Sequence, residues 1–189
     1  NHILILGEEN FFINMDKEIK KGKLIKFAKS VLTDPEHSEE FKSLLNRLLL
    51  TEDIAIQTYV NYDLDIFAYE NEIYESLPMR LVLYMHNLLR GSWHIERQQI
   101  LFELIKKHSP KTLVDVGFGI PGKYVKEYIL KERKTIALLD CFPSATQFGK
   151  ELLALWDKNW NEVVEFREYN MDALESPGQY DGYIFWDSI

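Results

Sequence analysis

Thr112-Leu-Val-Asp-Val-Gly-Phe-Gly-Ile-Pro-Gly122 is the stretch of sequence that decides the fold of this chain. Its apolar first half predicts a buried strand, and its glycines predict a tight turn in which the backbone can approach a ligand closely. The apolar residues from Tyr124 to Ile129 recur at helical spacing, which predicts a helix after the turn. A strand that runs through a glycine turn into a helix is typical of a site for a nucleotide-shaped cofactor.

Asp115 is the unusual residue of this stretch, because it places a carboxylate inside an apolar run. An unpaired buried charge is costly, so this side chain is expected to meet a polar partner. Gly117-x-Gly119-x-x-Gly122 also matches the dinucleotide-binding fingerprint, which is a weak signal by itself. The residues that follow therefore decide how the glycine turn is interpreted.

A second apolar run, Thr135 to Asp140, ends in another carboxylate. It lies about 20 residues after the glycines, where an acidic side chain can accept hydrogen bonds from a ribose diol. Ser144 and Gln147 have the spacing of a capping box, which predicts a helix that continues to about Trp156. The pattern therefore repeats: a strand, a functional carboxylate and a helix.

Two further apolar runs follow in the last part of the chain. The run from Val163 to Tyr169 leads into Met171 and Asp172, and a run that begins at Tyr180 ends at Asp187. Four strands, each followed by polar residues, predict an α/β fold with a mostly parallel sheet and flanking helices.

Four features follow one another along the chain: the glycine turn, Asp140, Asp172 and the apolar run that ends at Asp187. Together they resemble the class I S-adenosylmethionine-dependent methyltransferases, whose first motif is an acidic residue followed by Gly-x-Gly after the first strand. Asp115-Val-Gly-Phe-Gly119 fits that motif, and the resemblance covers roughly Thr112 to Ile189. It implies a Rossmann-like sheet, S-adenosyl-L-methionine as the cofactor and direct methyl transfer. The sheet of this family usually has seven strands and only four are read here, so we expect the sequence to be a fragment of a longer protein.

The resemblance also implies roles for individual residues, from the methionine end of the cofactor to its adenine. Asp187 would lie near the methionine part or the acceptor, and Cys141 would lie near adenosine, although a buried and inert thiol is the favoured role for this cysteine. The cofactor-binding residues implied are Asp115, Gly117, Phe118 and Gly119 for the methionine part, Asp140 for the ribose, and Met171 and Asp172 for the adenine.

Residues 1–108 are predicted to be a mainly helical cap or acceptor-binding region, and residues 109–189 the cofactor-binding domain. The segment from Ile54 to Val60 is ambiguous, because its apolar residues also alternate as in a strand. A helix from His94 to His108 is expected to turn five apolar residues inward: Ile95, Ile100, Leu101, Leu104 and Ile105.

Candidate acceptor-binding residues lie just before this domain. Trp93 and His94 precede the first strand. The favoured roles are that Trp93 anchors a helix to the sheet and His94 caps it, and the alternative is that they fold over the methionine end of the cofactor. The tyrosines of the helical region are interpreted as core residues. His86 and His94 are the only candidates for a general base, and the catalytic residues stay unknown.

Composition excludes several other classes of protein. The chain has 189 residues, of which 46% are hydrophobic, and a formal net charge of −8, which disfavours nucleic acid and anionic membranes as partners. One cysteine allows no internal disulfide, and no apolar run approaches the roughly 18 residues of a membrane span. The five histidines show no metal-binding spacing. We therefore expect a cytoplasmic protein without a metal.

The sequence thus predicts a methyltransferase that acts on a small molecule or a peptide. Two alternatives stay open. An NAD(P)-dependent oxidoreductase would use the same glycine turn and Asp140, but its first strand usually has an apolar residue where Asp115 stands. A non-catalytic Rossmann-like protein with a binding or regulatory role would retain the fold without turnover.

Overall fold

The computed structural model describes residues 17–64, 75–89, 91–170 and 176–185. In the part of these ranges that precedes residue 109, every element is a helix. The elements are α1 (Lys17–Leu32), α2 (Ser38–Arg47), α3 (Glu52–Asp63), α4 (Leu77–Leu89) and α5 (Gly91–His108). The prediction of a helical region before the glycine turn agrees with these elements, whereas the division into two domains at residues 108 and 109 stays a prediction.

A four-stranded sheet follows, with its strands in the order β3-β2-β1-β4. The strands are β1 (Thr112–Val116), β2 (Thr135–Asp140), β3 (Val164–Glu168) and β4 (Gly182–Phe185). All three pairings are parallel. The predicted α/β class is confirmed at this level, as a parallel sheet flanked by helices.

The register of the strands aligns their carboxyl ends at one edge of the sheet. Val116 lies opposite both Leu139 of β2 and Phe185 of β4, and Asp140 lies opposite Glu168 of β3. Strands β1 and β2 are buried along nearly their whole length, as expected for parallel strands covered on both faces. The segments that follow the four strands therefore begin at this edge, which we call the carboxyl edge.

Two helices connect the first three strands. The helix α6 begins after the glycine turn with a π-helical turn, Val125–Ile129, and ends with Leu130–Glu132. Its chain reverses at Arg133, whose φ of 53° is in the left-handed region. The helix α7, Pro143–Trp156, joins β2 to β3 through a short 3-10 turn, Trp160–Glu162. The helical spacing of residues 124–129 correctly predicted a helix after the glycine turn, and Tyr124, Val125, Tyr128 and Ile129 are buried.

The core has two main layers that share α7. One layer lies between the N-terminal helices and α7, where Phe41, Leu44, Tyr59 and Leu81 pack with Phe148 and Leu152. The other lies between α7, α5, α6 and the sheet, and contains Leu113, Val125, Ile136, Leu138 and Leu153. The N-terminal helices therefore rest on α7, next to the elements that lead to the carboxyl edge.

The structure decides one ambiguous segment and corrects two local predictions. The ambiguous segment Ile54 to Val60 is helical, because the Thr51 side chain caps α3 by accepting a hydrogen bond from the Ile54 N–H at 3.3 Å. In α5, only Leu101 and Ile105 of the five predicted residues are buried. The other three are about half exposed (Ile95, Ile100 and Leu104), because α5 buries a narrower stripe of its surface than its apolar content suggests.

The predicted capping box at the start of α7 is wrong. The N-cap residue is Phe142, with Pro143 in the first helical position, and no side chain caps the helix. The Ser144 hydroxyl instead accepts a hydrogen bond from the Arg80 Nε at 3.1 Å. Proline needs no partner at the first position because it has no N–H, which leaves Ser144 available for a tertiary contact.

A search of the described helices for a membrane span finds none with the length and apolar character that one requires.

Candidate functional site

The glycine turn after β1 is tied to the end of β2. Gly117 and Gly119 have φ angles of 71° and 59°, a region that glycine occupies without the strain that a Cβ would cause. The N–H groups of Gly117 and Phe118 donate to the carbonyl of Leu139, at 2.7 and 3.3 Å. The Ile120 N–H donates to the carbonyl of Phe118. The turn is therefore folded on itself and held against β2.

Asp140 completes this arrangement. Its carboxylate is 6% exposed, and Oδ2 accepts the Gly119 N–H at 3.0 Å while Oδ1 accepts the Phe142 N–H at 2.9 Å. The structure thus brings together the glycine turn and the carboxylate that the sequence placed at the ribose. Each carboxylate oxygen has a second lone pair, so both can accept a further hydrogen bond from a ligand.

A pocket of about 400 Å³ opens beside Asp140, outside the carboxyl ends of β2 and β3. This volume lies within the range of small-molecule sites. The lining residues come from the end of each strand and from the first turns of α7: Asp140, Phe142, Pro143, Thr146, Gln147, Lys150 and Glu168. Cys141 is exposed rather than buried, so the expectation of a buried thiol is wrong. The reason is that the residue lies in the bend after β2, outside the strand.

Asp115 is buried next to the glycine turn, with 5% of its surface exposed. Its Oδ2 accepts a hydrogen bond from the Tyr124 hydroxyl, whereas Oδ1 is buried and has no hydrogen-bond partner among the described residues. Burial raises the pKa of Asp115 to about 7; the Tyr124 hydrogen bond opposes this shift and the charge of Asp140 adds to it. Burial and the adjacent Asp115 carboxylate also raise the pKa of Tyr124.

Arg80 is a site residue that sequence reasoning missed. It comes from α4, is 3% exposed, and its Nη1 lies 3.4 Å from the carbonyl oxygen of Gly119. Its guanidinium lies over the Phe142 ring at 5.3 Å from the ring centre. Burial lowers the pKa of Arg80, and the negative charge of Asp140 opposes that shift. A single charge within the apolar run Leu77 to Met85 was the available signal, by the same argument that singled out Asp115.

The remaining predicted residues divide into two groups. The Phe118 ring is 8% exposed and packs on Phe166 at a centroid distance of 5.6 Å, so only its main chain faces the turn. The other predicted residues lie outside what the structure describes: Met171, Asp172 and Asp187 entirely, and Trp93 and His94 in their side chains.

His86, a candidate general base, is buried in the helical core. Its ring stacks on Tyr59 and meets Tyr62 edge-on, each at a centroid distance of 5.3 Å. Tyr59 itself packs with the N-terminal helices. This position separates His86 from the carboxyl edge of the sheet.

A second carboxylate site joins the helical region to α6 and α7. Glu40 accepts hydrogen bonds from the Tyr84 hydroxyl, from Trp156 Nε1 at 3.0 Å and from Lys126 Nζ at 3.2 Å. The Lys126 ammonium also lies 5.2 Å from the centre of the Trp156 ring. We call these four residues the Glu40 cluster; they line a second pocket, of about 410 Å³.

Comparisons with models of protein families, with curated proteins and with solved structures find no match to this chain. Among the described residues, no group of three or more His, Cys, Asp or Glu side chains is arranged to hold a metal ion. The geometry of the carboxyl edge is therefore the feature that indicates a function.

Proposed function

We propose that this chain is an S-adenosylmethionine-dependent methyltransferase that acts on a small molecule or a peptide. The observation that carries the proposal is the convergence of Asp115, the glycine turn and Asp140 at one edge of a parallel sheet. The motif Asp115-Val-Gly-Phe-Gly119, which resembles the first motif of that family, lies at the centre of this edge.

The strand order supports a Rossmann-like interpretation of the sheet. The order β3-β2-β1-β4, all parallel, corresponds to the first four strands of a doubly wound dinucleotide-binding sheet. In such sheets ligands bind outside the carboxyl ends of the strands, where the strand order reverses. That point lies here between β1 and β4, beside Asp115 and the glycine turn.

The side chains suit the successive parts of the cofactor. Asp115 would accept the ammonium group of the methionine part through Oδ1, the buried oxygen without a partner among the described residues. Asp140 would accept the ribose hydroxyls through its remaining lone pairs. The adenine would enter the pocket between Asp140 and Glu168. These assignments are supported by the acceptor positions that Asp115 and Asp140 retain.

Methyl transfer requires mainly that the protein align the cofactor with the acceptor. The cofactor supplies a methyl group on a positively charged sulfur, which is already a good leaving group. The chain's own residues would hold the cofactor in one orientation and exclude water, which accelerates a reaction by keeping the reactants in line. This requirement is consistent with a site built from main-chain turns and two carboxylates.

The glycine turn favours S-adenosylmethionine over a nicotinamide dinucleotide. A dinucleotide site uses the N–H groups of this turn to bind the diphosphate. Here the N–H groups of Gly117, Phe118, Gly119 and Ile120 already donate within the protein. A diphosphate would also be repelled by an ionised Asp115, whereas an ammonium group would be attracted.

The proposal is tested by calorimetric titration of the purified chain with S-adenosylmethionine, S-adenosylhomocysteine and NAD. We expect micromolar binding of the first two ligands and none of NAD. Asp140→Ala should abolish that binding, because the variant loses the ribose acceptor and the bond that holds Gly119 in place.

Asp53→Ala is the matched control, since Asp53 is exposed in the first turn of α3. It should bind as the wild type does. Binding of NAD alone would support the oxidoreductase alternative, and S-adenosylmethionine binding that survives Asp140→Ala would refute the proposed site.

A further inference from the structure

Arg80 connects the helical region to both loops that build the candidate site. From α4 its Nη1 reaches the carbonyl of Gly119 in the glycine turn, and its Nε reaches the hydroxyl of Ser144 in the first turn of α7. Its guanidinium also lies over the ring of Phe142. One side chain from the N-terminal helices thus touches the loop after β1 and the loop after β2.

One nitrogen of this guanidinium, Nη2, is buried and has no hydrogen-bond acceptor among the described residues. A buried donor without a partner is costly, and more so when it is charged. Asp140, whose charge acts on Arg80, accepts the N–H groups of Gly119 and Phe142 and makes no hydrogen bond to Nη2. The site therefore holds a cation with one donor available for an anionic group.

At the same edge of the sheet, Asp115 has an acceptor that lacks a donor among the described residues, whereas Arg80 has a donor that lacks an acceptor. The acceptor of Asp115 is Oδ1, which is buried. Arg80 Nη1 and Asp140 Oδ2 both bond the main chain of Gly119, four residues after Asp115, which places the three groups around one turn. A ligand with an ammonium and a carboxylate on the same carbon would satisfy both atoms. Adenosine alone would satisfy neither, and a diphosphate would satisfy only Arg80.

We propose that Arg80 binds the carboxylate of the cofactor's amino-acid end, while Asp115 binds its ammonium group, so that the two residues form a receptor for a zwitterion. This inference rests on the proposed function and deepens it. The helical region then contributes directly to cofactor binding through α4. The receptor selects S-adenosylmethionine by its amino-acid part, independently of the adenosine pocket beside Asp140.

The test compares three ligands by titration of the full chain: S-adenosylmethionine, its decarboxylated form, and methylthioadenosine, which lacks the amino-acid part. The wild type should prefer S-adenosylmethionine over the decarboxylated form by on the order of 10- to 100-fold, as expected for a charge-assisted hydrogen bond. Arg80→Met should bring this ratio close to one by weakening S-adenosylmethionine alone. Arg80→Lys should retain part of the preference, because it keeps the charge without the planar fork.

Arg47→Met is the matched control, because Arg47 pairs with Glu151 on the surface between α2 and α7. It should leave the ratio unchanged. If Arg80→Met does not fold, the ratio in the wild type and in Arg80→Lys still decides the question.

The outcomes separate this inference from the proposed function. If methylthioadenosine binds and the wild type does not distinguish the two longer ligands, the receptor is refuted while the adenosine site stands. An equal loss of all three ligands in Arg80→Met assigns Arg80 a purely structural role and also refutes the receptor. If no adenosine compound binds, both the receptor and the proposed function fail.

Discussion

Glu40 and Asp115 each accept a hydrogen bond from a tyrosine hydroxyl, and the two carboxylates differ in what else surrounds them. In the Glu40 cluster, the two oxygens of Glu40 meet three donors: Tyr84, Trp156 and Lys126. At the carboxyl edge, Asp115 meets Tyr124 alone, and its second oxygen is buried with no partner in the described part of the structure.

From this difference we infer that Glu40 is a structural joint between helices, whereas Asp115 belongs to the proposed binding site. The Glu40 carboxylate connects α2, α4, α6 and α7, and both of its oxygens have hydrogen-bond donors from the protein. The Asp115 carboxylate carries the cost of burial, which raises the pKa of Asp115 to about 7. Strained or incompletely satisfied groups concentrate at functional sites, where a ligand completes them.

The largest expected effect is that of Asp115→Asn on cofactor binding. The variant keeps the shape of the side chain but loses the negative charge, so we expect S-adenosylhomocysteine to bind at least roughly 100-fold more weakly, about 3 kcal/mol. Calorimetric titration at pH 7.5 measures this loss.

The same variant should not lose stability at pH 8. Because the folded pKa of Asp115 is raised from 3.8 to about 7, ionisation destabilises the fold increasingly as the pH rises between these values. Removing the charge removes that cost, so the free energy of unfolding in urea should equal or exceed that of the wild type. A large loss of stability at pH 8 would place Asp115 with the structural carboxylates.

Glu40→Ala should show the reverse behaviour. It leaves the Tyr84 hydroxyl, the Trp156 indole and Lys126 without their common acceptor, and we expect about 2 kcal/mol less stability in urea unfolding. Cofactor affinity should change less than twofold. Glu36→Ala, at a side chain that is 82% exposed, is the control and should cost less than about 0.5 kcal/mol. A large loss of cofactor affinity in Glu40→Ala would contradict the purely structural role assigned to Glu40.

The pH dependence of cofactor binding tests whether Asp115 must be ionised to bind the ligand. A ligand ammonium group pairs with the ionised form of Asp115, whose pKa of about 7 leaves it mostly protonated at pH 6. Affinity for S-adenosylhomocysteine should therefore rise roughly eightfold between pH 6 and 7.5 in titrations with buffers of equal ionic strength. The profile should be flat in Asp115→Asn. A flat profile in the wild type would show that Asp115 does not titrate on binding.

Tyr124→Phe should give the smallest effect. The Tyr124 hydrogen bond lowers the pKa of Asp115, so its loss should move the midpoint of the binding profile to higher pH. At pH 7 the affinity should fall roughly threefold. Tyr128→Phe, one turn further along α6, is the matched control and should leave the midpoint in place. A shift to lower pH in Tyr124→Phe would contradict the assigned hydrogen bond.

The sheet was more predictable than the helices. The predicted run from Thr135 to Asp140 matches β2 residue for residue, because a buried parallel strand is a short apolar run with polar residues at its ends. The inward face of α5 was only partly predicted, since half-exposed residues such as Ile95 and Leu104 fit the same periodicity as buried ones. Which part of an apolar stripe is covered depends on the neighbouring elements, and these are set by tertiary packing.

The candidate site was predictable where one side chain broke an apolar pattern. Asp115 and Asp140 were found in this way, and the structure brings both to the glycine turn. Arg80 breaks a pattern too, but its partners Gly119 and Ser144 are distant in the sequence and no local motif connects them. Tyr124 was predicted only as part of a helix, because spacing does not reveal where a hydroxyl donates its hydrogen bond.

The most direct test of the central claim is a crystal structure of the full chain with S-adenosylhomocysteine. We predict that its ammonium group lies at hydrogen-bond distance, about 3 Å, from Asp115 Oδ1 and that its ribose contacts Asp140. A ligand bound elsewhere, or one that leaves Asp115 Oδ1 without a partner, would contradict the account.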